Sequence, residues 1–273
     1  MAQERKLDFD HLSELLETGL PGQVGAIIGE MHPSEVALLI ESLPPAKRLV
    51  VWHYRDRKDE GDVLLELNEE VRTVLLESIS TEDVLAATEG MELDDLADLV
   101  ADLPDDVTEE VVKSLSLTDR QRLESVMAWP EDTAGGLMNP ATVSVRPDTS
   151  AEATLRYLRR LGELPDNTTS IFVVDSDSRY QGTVLLSKLV TSGGQTSVKD
   201  LFDEEAEAID VSASEAEVAR VFKNLDMVTA AVINSDGQLL GQITVDDVVD
   251  VMQELADHDI LSMAGLDEDD DMF

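Results

Sequence analysis

The chain has 273 residues, a hydrophobic content of 42% and a formal net charge of −39. That apolar content supports real cores and excludes an unstructured acidic polymer, while the charge repels nucleic acid and anionic lipid. With no cysteine, disulfides and thiolate metal sites are excluded as well.

The length suits two or three domains. Lysine is scarce among the 20 basic residues, as on a salt-adapted surface. The opening "MAQERKLDFD" lacks the apolar core of a signal peptide, and no apolar run approaches the ~20 residues that span a bilayer. The expectation is a soluble, cytoplasmic chain. No P-loop, Rossmann glycine motif or nucleophile–base constellation points to an enzyme. His11, His32, His53 and His258 stand in unlike contexts and read as surface or cap residues, and Trp52 and Trp129 as packing anchors.

Residues 1–130 show apolar positions at three- and four-residue spacing, which predicts an all-α domain. "MHPSEVALLIESLP" (31–44) and "MELDDLADLVADLP" (91–104) share Met, Ala, Leu, Leu and Pro in register. Each predicts a short helix that starts at an acidic or Ser cap and stops before Pro. Weaker copies begin near Ser80 and Ser116. Stacked short helices of this kind build a superhelical block of either hand.

"EDTAGGLMNP" (131–140) breaks the pattern with a Gly pair and Pro140 and reads as a linker. Beyond it, "IFVVD" (171–175) and "AAVIN" (231–235) are strand-like. Each leads through a polar turn into a second strand and then a helix. Gly182 and Gly241 hold equivalent places, as do the helical stretches 148–159 and 212–223. Two copies of one α/β unit are therefore expected at 141–200 and 201–260, followed by an acidic tail at 261–273.

The stretch "TVDDVVDVMQELADHD" (244–259) carries six carboxylates, and no Lys or Arg follows Lys223. At about 100° per residue, Asp247, Asp250, Glu254 and Asp257 line one side of a helix. Val248, Val249, Met252, Leu255 and Ala256 line the other. Its countercharge comes from salt, a basic partner or a divalent metal.

The α/β unit resembles the CBS module, and the pair resembles a tandem CBS (Bateman) domain. "EDTAGGLM" (131–138) resembles the linker signature of MgtE-type magnesium channels, and the Met…Leu-Pro repeats resemble that family's N-terminal domain. "GQITVDDVVDVMQELADHDILSMAGL" (241–266) is similar to the end of its second CBS unit. The resemblance covers nearly the whole chain in the right order. It implies a cytosolic Mg2+ sensor, homodimeric through its CBS domains and attached to a transmembrane pore of the same polypeptide. It further implies a gate that closes when Mg2+ bridges acidic N-domain and CBS faces. Residues 261–273 would then lead towards a connecting helix. Whether membrane spans follow Phe273, or the chain is a natural soluble relative, stays open.

Position by position, the resemblance assigns Asp226, Asp247, Asp250 and Asp259 to Mg2+, with Asp94 and Asp98 as the N-domain pair. Leu255, His258 and Ala216 stand where the family carries acids, which alters the sites at the connecting helix. Tandem CBS pairs also bind adenine nucleotides such as ATP through a Gly-h-h-Thr/Ser-x-x-Asp run. "GQITVDD" supplies Thr244 and Asp247, whereas "GTVLLSK" places Leu185 and Lys188 there. The competing readings are a stand-alone nucleotide sensor that regulates a partner protein, and a salt-adapted scaffold without ligand.

Overall fold

A computed structural model describes residues 21–55, 59–162, 164–165 and 167–264, with only the backbone considered at 21–23, 254 and 257–264. The chain divides into two compact units, Met1–Arg120 and Gln121–Phe273.

The first unit is a succession of short helices: α1 (Pro21–Gly29), α2 (Pro33–Ser42), α3 (Pro45–Trp52), α4 (Glu60–Leu65), α5 (Glu69–Leu76), α6 (Thr81–Ala87), α7 (Leu93–Ala101) and α8 (Asp105–Ser114). The fixed φ of proline suits a first helical turn, where its missing N–H has no partner to lose; α1, α2 and α3 each begin on one. His32 caps α2, and its own N–H donates to Glu35 Oε2 at 2.9 Å, closing a capping box. The internal repeat is visible in the core. Val36, Ala37, Leu39 and Ile40 of α2 are buried, and so are Leu96, Ala97, Leu99 and Val100 at the same positions of α7. Each large side chain buried this way stabilises by about 1.5–3 kcal/mol. Ser80 and Ser116, where weaker repeats were expected, accept from the N–H groups of Asp83 and Asp119. The buried Arg55 guanidinium donates to Ile28 O in the last turn of α1 and to Met31 O just beyond it, and pairs with Asp59 at 3.1 Å.

The second unit begins within α9 (Leu117–Val126) and contains two three-stranded sheets. In one, β1 (Ser144–Val145) runs parallel to β2 (Ser170–Val174), which is antiparallel to β3 (Tyr180–Leu185). In the other, β4 (Ala208–Asp210), β5 (Thr229–Ile233) and β6 (Leu239–Thr244) repeat that order. Val173 pairs with Gly182 and Val232 with Gly241, and each ladder shifts register at the next residue. The helices repeat too: α10 (Ala151–Leu161) and α11 (Leu186–Thr191) in the first copy, α12 (Glu215–Leu225) and α13 (Val245–Ala264) in the second. Ile171 and Val173 project into a core with Leu158, Val184 and Leu189, while Phe172 meets Tyr180 edge-on at 6.2 Å.

The leading segments are exchanged between copies. Asn139, ahead of the first copy, trades both backbone hydrogen bonds with Gln242 of β6 at 2.7 and 2.9 Å. Asp203, ahead of the second copy's sheet, does the same with Thr183 of β3 at 3.2 and 2.7 Å. The two equivalent glycines permit these approaches. A Cβ on Gly182, whose φ is +144°, would lie 2.0 Å from Asp203 O, and one on Gly241 2.8 Å from the Met138 side chain. Residues 131–138 also fasten to the second copy. Ala134 N donates to Ala213 O, Gly135 N to Val211 O, and Glu215 N to Asp132 O. A Cβ on Gly135 would stand 2.4 Å from the Trp129 ring, which is why the motif needs glycine there.

Candidate functional site

The richest group of chemistry-bearing side chains gathers where β6 passes directly into α13. Asp247 Oδ2 accepts from the Thr244 N–H at 3.1 Å and from its hydroxyl at 2.9 Å. It thereby caps the first turn, as a carboxylate at a helix start does. The Thr244 hydroxyl also lies within hydrogen-bond reach of Asp246, and its single proton serves one carboxylate at a time. Asp246 Oδ2 in turn accepts from Asn167 Nδ2 of the first copy at 2.5 Å. Asn167 holds the left-handed conformation at φ 55°, and Asp226 at φ 50° is its counterpart in the second copy.

Asp250 follows one turn after Asp246. Crowding of its carboxyl by the protein, and then the Asp246 charge, push it above the ordinary carboxylate range although the residue is exposed. The helix face differs from the wheel drawn on sequence. Val248 and Val251 are buried, whereas Val249 is 53% exposed and Ala256 is exposed as well. The packed arc is turned towards Val251, between the two stripes, because α13 lies against α12 as well as its own sheet.

The other expected ligands are placed separately. Asp226 is an exposed left-handed C-cap of α12. Asp94 and Asp98 lie one turn apart on α7 but differ in setting, Asp94 being buried at 7% and Asp98 exposed. The side chain of Asp259 lies outside the described residues. Within the described residues, no three Asp, Glu or His side chains form a group ready to hold a metal. Lys188, which stands in the first copy where Asp247 stands in the second, donates to Leu201 O at 3.4 Å. Asn167 and Asp246 escaped the sequence reading, since a contact across 79 residues leaves no local period.

An N-terminal helical unit followed by two interlocked β-β-β/α copies defines a tandem CBS protein with a helical superdomain. Residues 31–132 match the MgtE intracellular N domain, and residues 134–192 and 198–254 match the CBS domain. The chain belongs to the MgtE family and has the domain order of its cytosolic region. It is 29% identical over 262 residues to the magnesium transporter MgtE of Thermus thermophilus, covering 95% of this chain and 58% of that protein. It is 24% identical over 255 residues to the magnesium transporter MgtE of Bacillus subtilis, covering 93% and 56%. The chain thus spans somewhat over half the length of these relatives, which are transporters and not enzymes. The crystal structure of the cytosolic domain of the Mg2+ channel MgtE in complex with ATP superposes with a TM-score of 0.80 at 29% identity, over 89% of this chain and 99% of that one. The soluble part of a magnesium transporter shares the fold at a TM-score of 0.73 and 21% identity, over 91% and 98%. No helix among the described residues is long and apolar enough to cross a membrane.

Proposed function

We propose that the chain is the Mg2+-sensing regulatory module of a magnesium transporter, in which Mg2+ bridges an acidic N-domain face and an acidic CBS face and so closes the pore. The observation that carries this reading is the start of α13. Asp246, Asp247 and Asp250 stand within its first two turns, where burial first, and then the Asp246 charge, hold the Asp250 carboxyl above its ordinary range. Mg2+ prefers oxygen, keeps most of its waters and needs only one or two carboxylates, so an incomplete acidic surface suits it when a second surface supplies the rest. Asp98 and Asp94 are the N-domain candidates; Asp226, Asp247, Asp250 and Asp259 are those of the CBS face.

Millimolar MgCl2 should reduce the radius of gyration and raise the melting temperature beyond the effect of KCl at equal ionic strength. The Asp247→Ala, Asp250→Ala double variant should respond to both salts alike. Equal compaction of the unmodified chain by the two salts would reduce the acidity to salt adaptation.

A second reading is adenine-nucleotide binding, favoured by the Thr244–Asp247 pair at the β6–α13 junction. One similar structure carries ATP. Calorimetric titration with ATP should give about one site per chain, lost in Asp247→Ala and kept in Lys188→Ala.

The module is further proposed to dimerise through its CBS helices. Leu161 and Leu225, exposed at 44% and 48%, occupy equivalent positions, as do Val190 and Val249 at 66% and 53%. A face left apolar twice at matching places suits a symmetric partner. Sedimentation as a monomer at high micromolar concentration with Mg2+ would exclude it.

A further inference from the structure

One end of the CBS sheet is covered in the second copy and open in the first. The pairings Thr133–Ser214 and Ser150–Ser197 join equivalent places of the two copies, and they align Gly135 with Lys199, Met138 with Phe202 and Pro140 with Glu204. In the second copy the Trp129 ring lies against Gly135, and Gly135, Met138 and Pro140 are buried. In the first copy Lys199 and Glu204 are exposed and Phe202 is half-buried. A cavity of about 540 Å3 opens among them, with Pro147, Tyr180 and Gln181 as its other walls. The position that matches Trp129 is Gly193, which has no side chain to cover it.

A space of this size accepts a small molecule. The Tyr180 hydroxyl donates to Ala206 O at 3.1 Å, so the ring and not the hydroxyl is left to meet a ligand. Gln181 Nε2 donates to Tyr180 O at 3.1 Å, which leaves its side-chain oxygen as an acceptor. The side chains of Lys199 and Glu204 line the same cavity yet pair neither with each other nor with any other described residue. One cation and one anion, unpaired around two aromatic rings, complement a zwitterion that carries a flat ring. Its carboxylate meets Lys199, its ammonium meets Glu204, and its ring packs on Tyr180 and Phe202.

We infer that this cavity binds a free aromatic amino acid, in the place that the second copy covers with its own Trp129. It stands at the start of β3, whereas Leu185, the counterpart of Thr244, ends that strand, so the site is separate from the Thr244–Asp247 kind of junction. Phe202 and Glu204 flank Asp203, whose crossing to Thr183 ties the two copies together. An occupied cavity therefore stabilises that crossing by mass action.

Calorimetric titration of the full chain tests this with L-tryptophan, with tryptamine, which lacks the carboxylate, with indole-3-propionate, which lacks the ammonium, and with L-alanine, which lacks the ring. The expected result is one saturable L-tryptophan site per chain, roughly fivefold tighter than for tryptamine or indole-3-propionate, and no binding of L-alanine. Lys199→Gln should weaken L-tryptophan roughly fivefold and leave tryptamine unchanged. Glu204→Gln should weaken L-tryptophan to the same extent and leave indole-3-propionate unchanged. Both residues are exposed, so neither change disturbs the fold. Lack of saturation by L-tryptophan at about 10 mM, equal affinity for the three indoles, or an L-tryptophan affinity unmoved by both Gln changes would overturn the proposal. So would loss of binding in Asp247→Ala, which would move the ligand to the β6–α13 junction.

Discussion

Residues 141–200 carry seven Lys and Arg against seven Asp and Glu, whereas residues 201–260 carry two against fifteen. Yet the two CBS copies agree down to single hydrogen bonds. Both start their first helix on a Ser whose hydroxyl accepts from the third residue on, Ser150 and Ser214. Both close the turn between their last two strands with a side-chain oxygen that accepts two backbone N–H groups, Asp175 in one and Asn234 in the other. The comparison separates what the fold requires from what it leaves free. Backbone pairings and the glycines beneath them recur because no alternative atom fits. Exposed helix faces diverge because a change of sign there costs the fold little.

The largest expected difference between the copies is at those glycines. Gly182→Ala meets the Asp203 backbone oxygen at 2.0 Å from a positive φ and should cost about 3 kcal/mol, while Gly241→Ala meets the Met138 side chain at 2.8 Å and the Asn139 backbone oxygen at 2.9 Å without a positive φ and should cost about 2 kcal/mol. Denaturant titration of the two variants measures both, and equal costs would break the claim that the first crossing is the tighter one. Next in size is the pair on α13. Val248→Ala removes buried methyl groups and should cost about 2 kcal/mol, against under about 0.5 kcal/mol for exposed Val249→Ala. The reverse order would restore the helix face drawn on sequence.

The smallest effect is a pH dependence of the turn between the last two strands, expected in the first copy alone. The Arg179 N–H, and then that of Asp177, hold the Asp175 carboxyl below its ordinary range. Its contribution is therefore complete above the unfolded value, about 3.9, and is lost as pH falls through the lower folded value. The protection of the Arg179 amide, taken relative to its intrinsic exchange rate at each pH, should fall on acidification in the first copy. The matching amide of Gln238, held by the non-titrating Asn234, should not follow through this cap. Asp175→Asn should make the two turns behave alike.

The repeats were legible in the sequence because a duplicated unit must place its apolar residues, caps and glycines at matching intervals. Val36 with Leu96, Leu39 with Leu99 and Gly182 with Gly241 are each visible that way. The Thr244–Asp247 pair was legible because it is local, three residues apart on one helical turn. Asn167–Asp246 and Arg55 with the Ile28 carbonyl were not, since each joins positions that the chain brings together only by folding. Val249 was misread for a related reason. A helical wheel gives the direction of an apolar stripe but not the second helix that pulls the buried arc round towards Val251.

The exchange of leading segments makes the CBS pair indivisible. A cut at residue 140 or at residue 200 would take from one copy the strand partner that belongs, by position in the chain, to the other. Either half alone would expose an unsatisfied β edge, at β3 or at β6, ready to recruit another chain. Half of the pair on its own is therefore an association hazard that the intact pair removes.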